Sequence, residues 1–157
     1  MPPRVWVARQ DDLDSVTDLM AAFRDWSGYE TPPYETIRRT ARVLLGEAAT
    51  EFLLGAPERE VPAAGVCQLR YRLSVWTGAE DCWLEDVYVR DDARRRGVGR
   101  ALVATALERA RARGCRRMEL DVNERNTEAL GFYERMGFTT EPKPPGRTLF
   151  LGRRLER

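Results

Sequence analysis

Histidine is absent from this 157-residue chain. That absence removes His-based catalytic triads, histidine metal sites and the commonest general base. Any catalysis falls to Glu, Asp, Tyr, Cys, water or backbone groups. Lysine occurs once, at Lys143, so arginine carries almost all of the positive charge. Cysteine is scarce as well. Cys67, Cys82 and Cys115 form an odd, scattered set in apolar, strand-like contexts, which predicts small buried hydrophobes. No two of them have zinc-ligand spacing, and no metal is expected. No apolar run approaches the roughly 20 residues that span a bilayer, and the N-terminus lacks a signal-peptide core. The expectation is a soluble, cytoplasmic protein with no membrane partner. Net charge is +1, from 26 basic and 25 acidic residues, which argues against a protein-wide field for nucleic acid.

The length is that of a single domain, residues 1–157, long enough to bury about two-thirds of its unfolded surface. Alternation at Val5 and Val7 predicts a first strand. Leu13, Val16, Leu19, Met20 and Phe23 are spaced for one face of a helix over 11–26, with Asp11 or Asp12 as its cap. A second helix is predicted over 34–46, and strands over 51–54, 64–73 and 82–89. A helix over 97–113 presents Val98, Leu102, Ala106 and Ala110 inward, with Gly114 as its stop. A fifth strand over 118–122 and a helix over 126–136 follow. A sixth strand begins at Phe138, and a last strand over 148–151 comes after a Pro142–Gly146 loop. The fold class is mixed α/β (α+β), with about four helices flanking a mixed sheet of six to seven strands.

Ten arginines lie between Arg90 and Arg117, and among them runs Arg94-Arg95-Arg96-Gly97-Val98-Gly99-Arg100. The run stands between a predicted strand, Trp83 to Val89, and a predicted helix. Gly97 and Gly99 leave no side chain between backbone and ligand, so amides can approach phosphate oxygens. The helix dipole and the charges of Arg94, Arg95 or Arg100 favour an anion there. An isolated loop of this kind reads equally well as a solvated basic turn.

The spacing Arg94-x-x-Gly97-x-Gly99, with a second block from Asn126 through Ala129, Phe132 and Tyr133 to Gly137-Phe138, resembles the GNAT (GCN5-related) family of N-acetyltransferases. The resemblance covers essentially the whole chain. It implies a central sheet whose fourth and fifth strands splay apart, acetyl-CoA as cosubstrate, and a homodimer. Arg94 to Arg100, including Arg96 and Val98, are implied to hold the pyrophosphate. Val87, Tyr88 and Val89 are implied to bond pantetheine as a pseudo-strand and to offer an N–H to the thioester oxyanion. Asn126 is implied as helix cap and coenzyme contact, and Tyr133 as general acid for the leaving thiolate.

The acceptor side rests on carboxylates. An aliphatic amine is only about a thousandth neutral at pH 7, which adds roughly 4–5 kcal/mol to its attack on a thioester. Glu85 and Asp86 interrupt an otherwise apolar strand, and burying a carboxylate is costly without a partner or a function. Glu85 is the candidate base, through water; a structural ion pair with an arginine is the competing reading. Asp86 and Asp121 are candidate substrate contacts, and Glu119 shares the Asp121 face by period two. Ser74-Val75-Trp76-Thr77-Gly78 together with Leu84-Glu85-Asp86 resembles the diamine (spermidine/spermine-type) branch, although Arg125 stands before Asn126 where that branch usually has Trp. The implied activity is acetyl transfer to a primary amine of a small molecule, polyamine or amino-acid-like, by direct attack in a ternary complex. Protein, peptide or aminoglycoside acetylation, or acyl-CoA binding without turnover, stay open. So does RNA binding through Arg109, Arg111, Arg113, Arg116 and Arg117, which near-neutral charge disfavours.

Overall fold

A computed structural model of the protein describes residues 2–140 and 145–156. Contacts divide the chain into two compact units, residues 1–121 and 122–157. In the first, β1 (Arg4–Val7), β2 (Thr50–Ala56), β3 (Gly65–Leu73), β4 (Glu80–Val89) and β5 (Met118–Glu119) form one sheet in the order β1-β2-β3-β4-β5. Pairing is antiparallel as far as β4, and β5 joins in parallel. Helices α1 (Leu13–Trp26) and α2 (Tyr34–Leu45) connect β1 to β2, and α3 (Val98–Ala112) connects β4 to β5. The second unit contains α4 (Thr127–Arg135).

Period-2 alternation builds two core layers. Leu54, Val66 and Tyr88 face Leu13, Val16 and Leu19 of α1 and Ala41 of α2. Gly55 and Gly65, their neighbours in the chain, point the other way and lie opposite each other in the β2–β3 ladder. A Cβ on Gly55 would stand 2.9 Å from Val98 Cγ1, and one on Gly65 3.0 Å from both Val98 Cγ1 and Leu102 Cδ1. The paired glycines thus let the first turns of α3 lie against bare backbone. The predicted stripe of α3, Val98, Leu102, Ala106 and Ala110, is buried, joined by Val103. Gly114, at φ +87°, closes the helix in the left-handed conformation.

The mixed α/β class and four α-helices agree with the sequence reading, but the strands are fewer. Five occur among the described residues. Strand β5 stops at Glu119 rather than 122, and among the described residues neither 138–140 nor 148–151 lies in a ladder. Apolar, β-prone residues propose a strand, but a strand exists only where a second backbone is in register to accept its hydrogen bonds. The predicted Pro142–Gly146 loop lies mostly outside the described residues. Asp12 occupies the position before α1 without capping it; its carboxylate accepts the Arg9 N–H at 2.9 Å and the Trp6 indole N–H at 3.4 Å. The Ser74–Gly78 block forms the β3–β4 turn, with Trp76 94% exposed at its tip.

Replacing Gly55 by Ala should force α3 off the sheet or strain Val98, costing about 1–3 kcal/mol. Urea unfolding of Gly55→Ala beside the wild type measures this, and an unchanged midpoint would show that the close approach is not needed.

Candidate active site

The site begins where β4 and β5 part. They pair only at Cys82↔Met118 and Trp83↔Glu119, while β4 continues to Val89. The Arg90 N–H bonds Ala64 O at 2.8 Å, in register with the Gly65↔Val89 pair. By antiparallel alternation Tyr88 and Asp86 then turn their backbone groups toward β3, whereas Val87 and Val89 turn theirs outward. That outward edge has no strand on it among the described residues. The β3–β4 register steps from Gln68↔Asp86 to Leu69↔Leu84, so Glu85 is the extra residue of a β-bulge, and it is exposed. An extended molecule bearing amides fits this edge as a further strand would.

Beyond Val89 the chain makes one 3₁₀ turn, Asp91–Ala93, and enters the basic loop. Two side chains fasten the loop. Arg94 Nε donates to Val89 O at 3.0 Å, its Nη1 meets Asp91 at 3.1 Å, and Arg96 pairs with Glu58 of the β2–β3 connection at 2.5 Å. Arg95 holds φ +59°, a left-handed conformation that costs a non-glycine residue, and Gly97 holds φ +82° at the N-cap of α3. The Gly97 carbonyl accepts the Ala101 N–H at 3.0 Å, so the N–H groups of Val98, Gly99 and Arg100 precede the first intrahelical bond. No side chain caps them and no acid stands in the first turn. Arg95 and Arg100 are exposed and make no ion pair among the described residues. A helix start without cap or acid, carrying cations, inverts the usual preference and suits an external anion.

Three carboxylates gather where the strands separate. Burial first, then the charges of Glu85 and Asp121, push the Asp86 carboxyl from 3.8 up to about 6. Asp86 shares a β4 face with Tyr88 by alternation. Tyr88 is packed against Phe23, centroids 5.4 Å apart, and against Trp26, 6.4 Å apart. Arg94 also belongs to this group, its guanidinium carbon 5.1 Å from the Trp26 ring centroid. Trp26 and Phe23 escaped the sequence reading as site residues. Their three-residue spacing put both on one side of α1, but nothing in the chain order reveals that β4 passes beside them.

In the second unit, Asn126 caps α4 as expected, its Oδ1 accepting the Ala129 N–H at 3.2 Å. Tyr133 is half-buried, edge-on to Phe132 at 5.1 Å and to Phe138 at 5.6 Å. Glu119 is held by Arg117 at 3.3 Å. Arg109, Arg113 and Arg117, three members of the arginine stripe, pair with Glu51, Glu80 and Asp81. Burial raises all three thiols above their ordinary range, Cys82 to about 12, which leaves none poised as a thiolate nucleophile. Among the described residues no cluster of three or more His, Cys, Asp or Glu is placed to hold a metal ion. No helix among them is long and apolar enough to cross a membrane.

Residues 13–138 match the Acetyltransferase (GNAT) family, a stretch that includes parts of both units. The uncharacterized N-acetyltransferase MJ1207 of Methanocaldococcus jannaschii is 44% identical over 130 residues, covering 82% of this chain and 57% of that protein. A thialysine N-epsilon-acetyltransferase of Sus scrofa is 33% identical over 78 residues, 46% of this chain and 45% of that protein. The chain thus spans about half the length of these relatives. The crystal structure of a protein of Arthrobacter sp. FB24, assigned as an acetyltransferase, superposes with a TM-score of 0.84 at 29% identity, covering 99% of this chain and 96% of that one.

Asp86 links the site to stability. Its folded pKa is raised, so between about pH 4 and 6 the folded state holds a proton that the unfolded state has lost, and stability falls as pH rises through that window. Asp86→Asn should therefore be more stable than the wild type above pH 6, the difference vanishing below about pH 4. Denaturant midpoints across pH 3.5–8 read this, and parallel curves would refute it.

Proposed function

This chain belongs to the Acetyltransferase (GNAT) family, and on that premise we propose that it is an acetyl-CoA-dependent N-acetyltransferase acting on a primary amine of a small molecule, polyamine or amino-acid-like. The observation that carries the reading is the pairing of a β4 edge that no strand among the described residues covers beyond Trp83 with the uncapped start of α3. Pantetheine amides bond the edge, and the pyrophosphate takes the N–H groups of Val98, Gly99 and Arg100 with Arg95 and Arg100 as counter-charges. Internal bonds hold Arg94 and Arg96, so their part is to keep the loop in shape. The relative named for the N-epsilon amine of thialysine supports an amino-acid-like acceptor.

The reaction is direct attack. Glu85, exposed at the bulge, accepts the proton of the ammonium through water, and Asp86 and Asp121 hold the acceptor's charge. The amine nitrogen bonds to the thioester carbonyl carbon while an outward N–H of β4 stabilises the oxyanion. The C–S bond then breaks, and Tyr133 gives its proton to the departing thiolate, a role that rests on its match to the family's tyrosine. The amine's second proton and the one taken up by Glu85 leave to solvent, and Tyr133 is reprotonated from water. The three raised thiols support this route over an acyl-cysteine.

The protein acts in the cytoplasm, without nucleic acid or membrane. It works as a homodimer, in which a second copy covers Leu149, Phe150 and Leu151, apolar residues exposed on a single chain. Their strand-type sequence, unpaired among the described residues, supports that occupant, and a single-chain mass by light scattering would refute it.

Release of free thiol from acetyl-CoA, across polyamines, amino acids, aminoglycosides and peptides, tests the activity. Turnover with a small primary amine is expected. Acetyl-CoA binding without thiol release from any amine would identify a binding module instead. Tyr133→Phe should lower kcat by about a hundredfold with little change in acetyl-CoA affinity; wild-type turnover would remove the acid role.

A further inference from the structure

Trp26 is the last residue of α1, and half of its surface is open to solvent. It is 51% exposed, yet it is not loose. Its ring stacks on Phe23 at 6.2 Å and 23°, and leans on Tyr88 at 6.4 Å. Tyr88 is buried and lies between Val87 and Val89, the two residues whose backbone faces the open edge. Arg94 lies over the same indole, tied by a hydrogen bond to Val89 O and an ion pair with Asp91. A half-open aromatic wall is therefore fixed to the strand and loop that form the donor track, and Asp86 is the next residue along the Tyr88 face of β4.

We propose that Trp26 is a specificity-determining residue that receives the carbon body of the acceptor, and that it selects amines whose body carries no net positive charge beyond the reacting ammonium. The proposal rests on the acetyltransferase reading and narrows it. An indole face attracts either an apolar body or a cation. Here Arg94 already supplies the cation. A second cation brought to the same ring competes with Arg94, which already lies over it and is held there by Val89 O and Asp91. The ammonium that reacts is drawn to the carboxylates of Glu85, Asp86 and Asp121, while the rest of the molecule lies on Trp26. A polyamine places its second charge beside Arg94. An amine with an uncharged aliphatic, thioether or aromatic body does not.

Steady-state kinetics by thiol release, with monoamines and neutral-body amino acids on one side and putrescine and spermidine on the other, tests this. The wild type should use the single-charge amines with higher kcat/KM. Trp26→Ala should raise their KM about tenfold while leaving the KM for acetyl-CoA unchanged, and Trp26→Phe should restore most of the loss. Trp26→Leu keeps the apolar contact with Phe23 without the ring and serves where the alanine variant fails to fold; it too should lose the preference. Equal or better use of spermidine by the wild type overturns the assignment. So does a preference that survives in Trp26→Ala or Trp26→Leu. An absence of thiol release with every amine overturns the transferase reading itself, and the acceptor assignment with it.

Discussion

Backbone N–H and C=O groups in a sheet need partners, and β4 carries a stretch of edge for which the sheet provides none. Strand β5 pairs with it for two residues and then ends. The proposed site in the first unit is arranged around that deficit. The bulge at Glu85 falls where the pairing has stopped, the outward groups of Val87 and Val89 lie just beyond it, and the basic loop follows directly. Such an edge is a liability in a sheet meant only for stability. It becomes a binding surface when a ligand with peptide-like amides completes the ladder.

Helix α3 depends on a second constraint. Its first turn must stand close to the sheet if its amides are to continue the track from β4, and the opposed Gly55 and Gly65 make that distance attainable. Two side chains absent from the end of β2 and the start of β3 therefore locate the proposed anion site, made of backbone. Glycine weakens strands, so the fold accepts a local loss for that placement. Arg95, in the left-handed region, is a further local cost in the same loop.

Charge in this protein is mostly internal. The arginine-rich tract looks like one basic surface in the sequence, yet Arg94 and Arg96 brace the loop, and Arg109, Arg113 and Arg117 pair with Glu51, Glu80 and Asp81 around the far end of α3. Arg113 also stacks 3.8 Å from the Tyr71 ring centroid. Position in space, rather than number of charges, separates the exposed cations of the proposed anion site, Arg95 and Arg100, from those that hold the fold.

What the sequence determined by itself was whatever is local. The periodicity of α1 and α3, the glycines that begin and end α3, the Asn126 cap and the strand–loop–helix order follow from short-range rules of backbone geometry, and they suffice to mark the proposed donor site. What only the tertiary structure decided was whatever joins distant segments: the early end of β5, the bulge that singles out Glu85, the withdrawal of Arg94 into contacts with Val89 and Asp91, and the meeting of Trp26 with Tyr88. The strand expected at Thr148–Leu151 belongs with these, because β-structure is a property of pairs and its partner is not encoded nearby. Hydrogen-bond partners, neighbouring charges and exposed faces are set by which segments pack together, and one chain read in order does not contain that list.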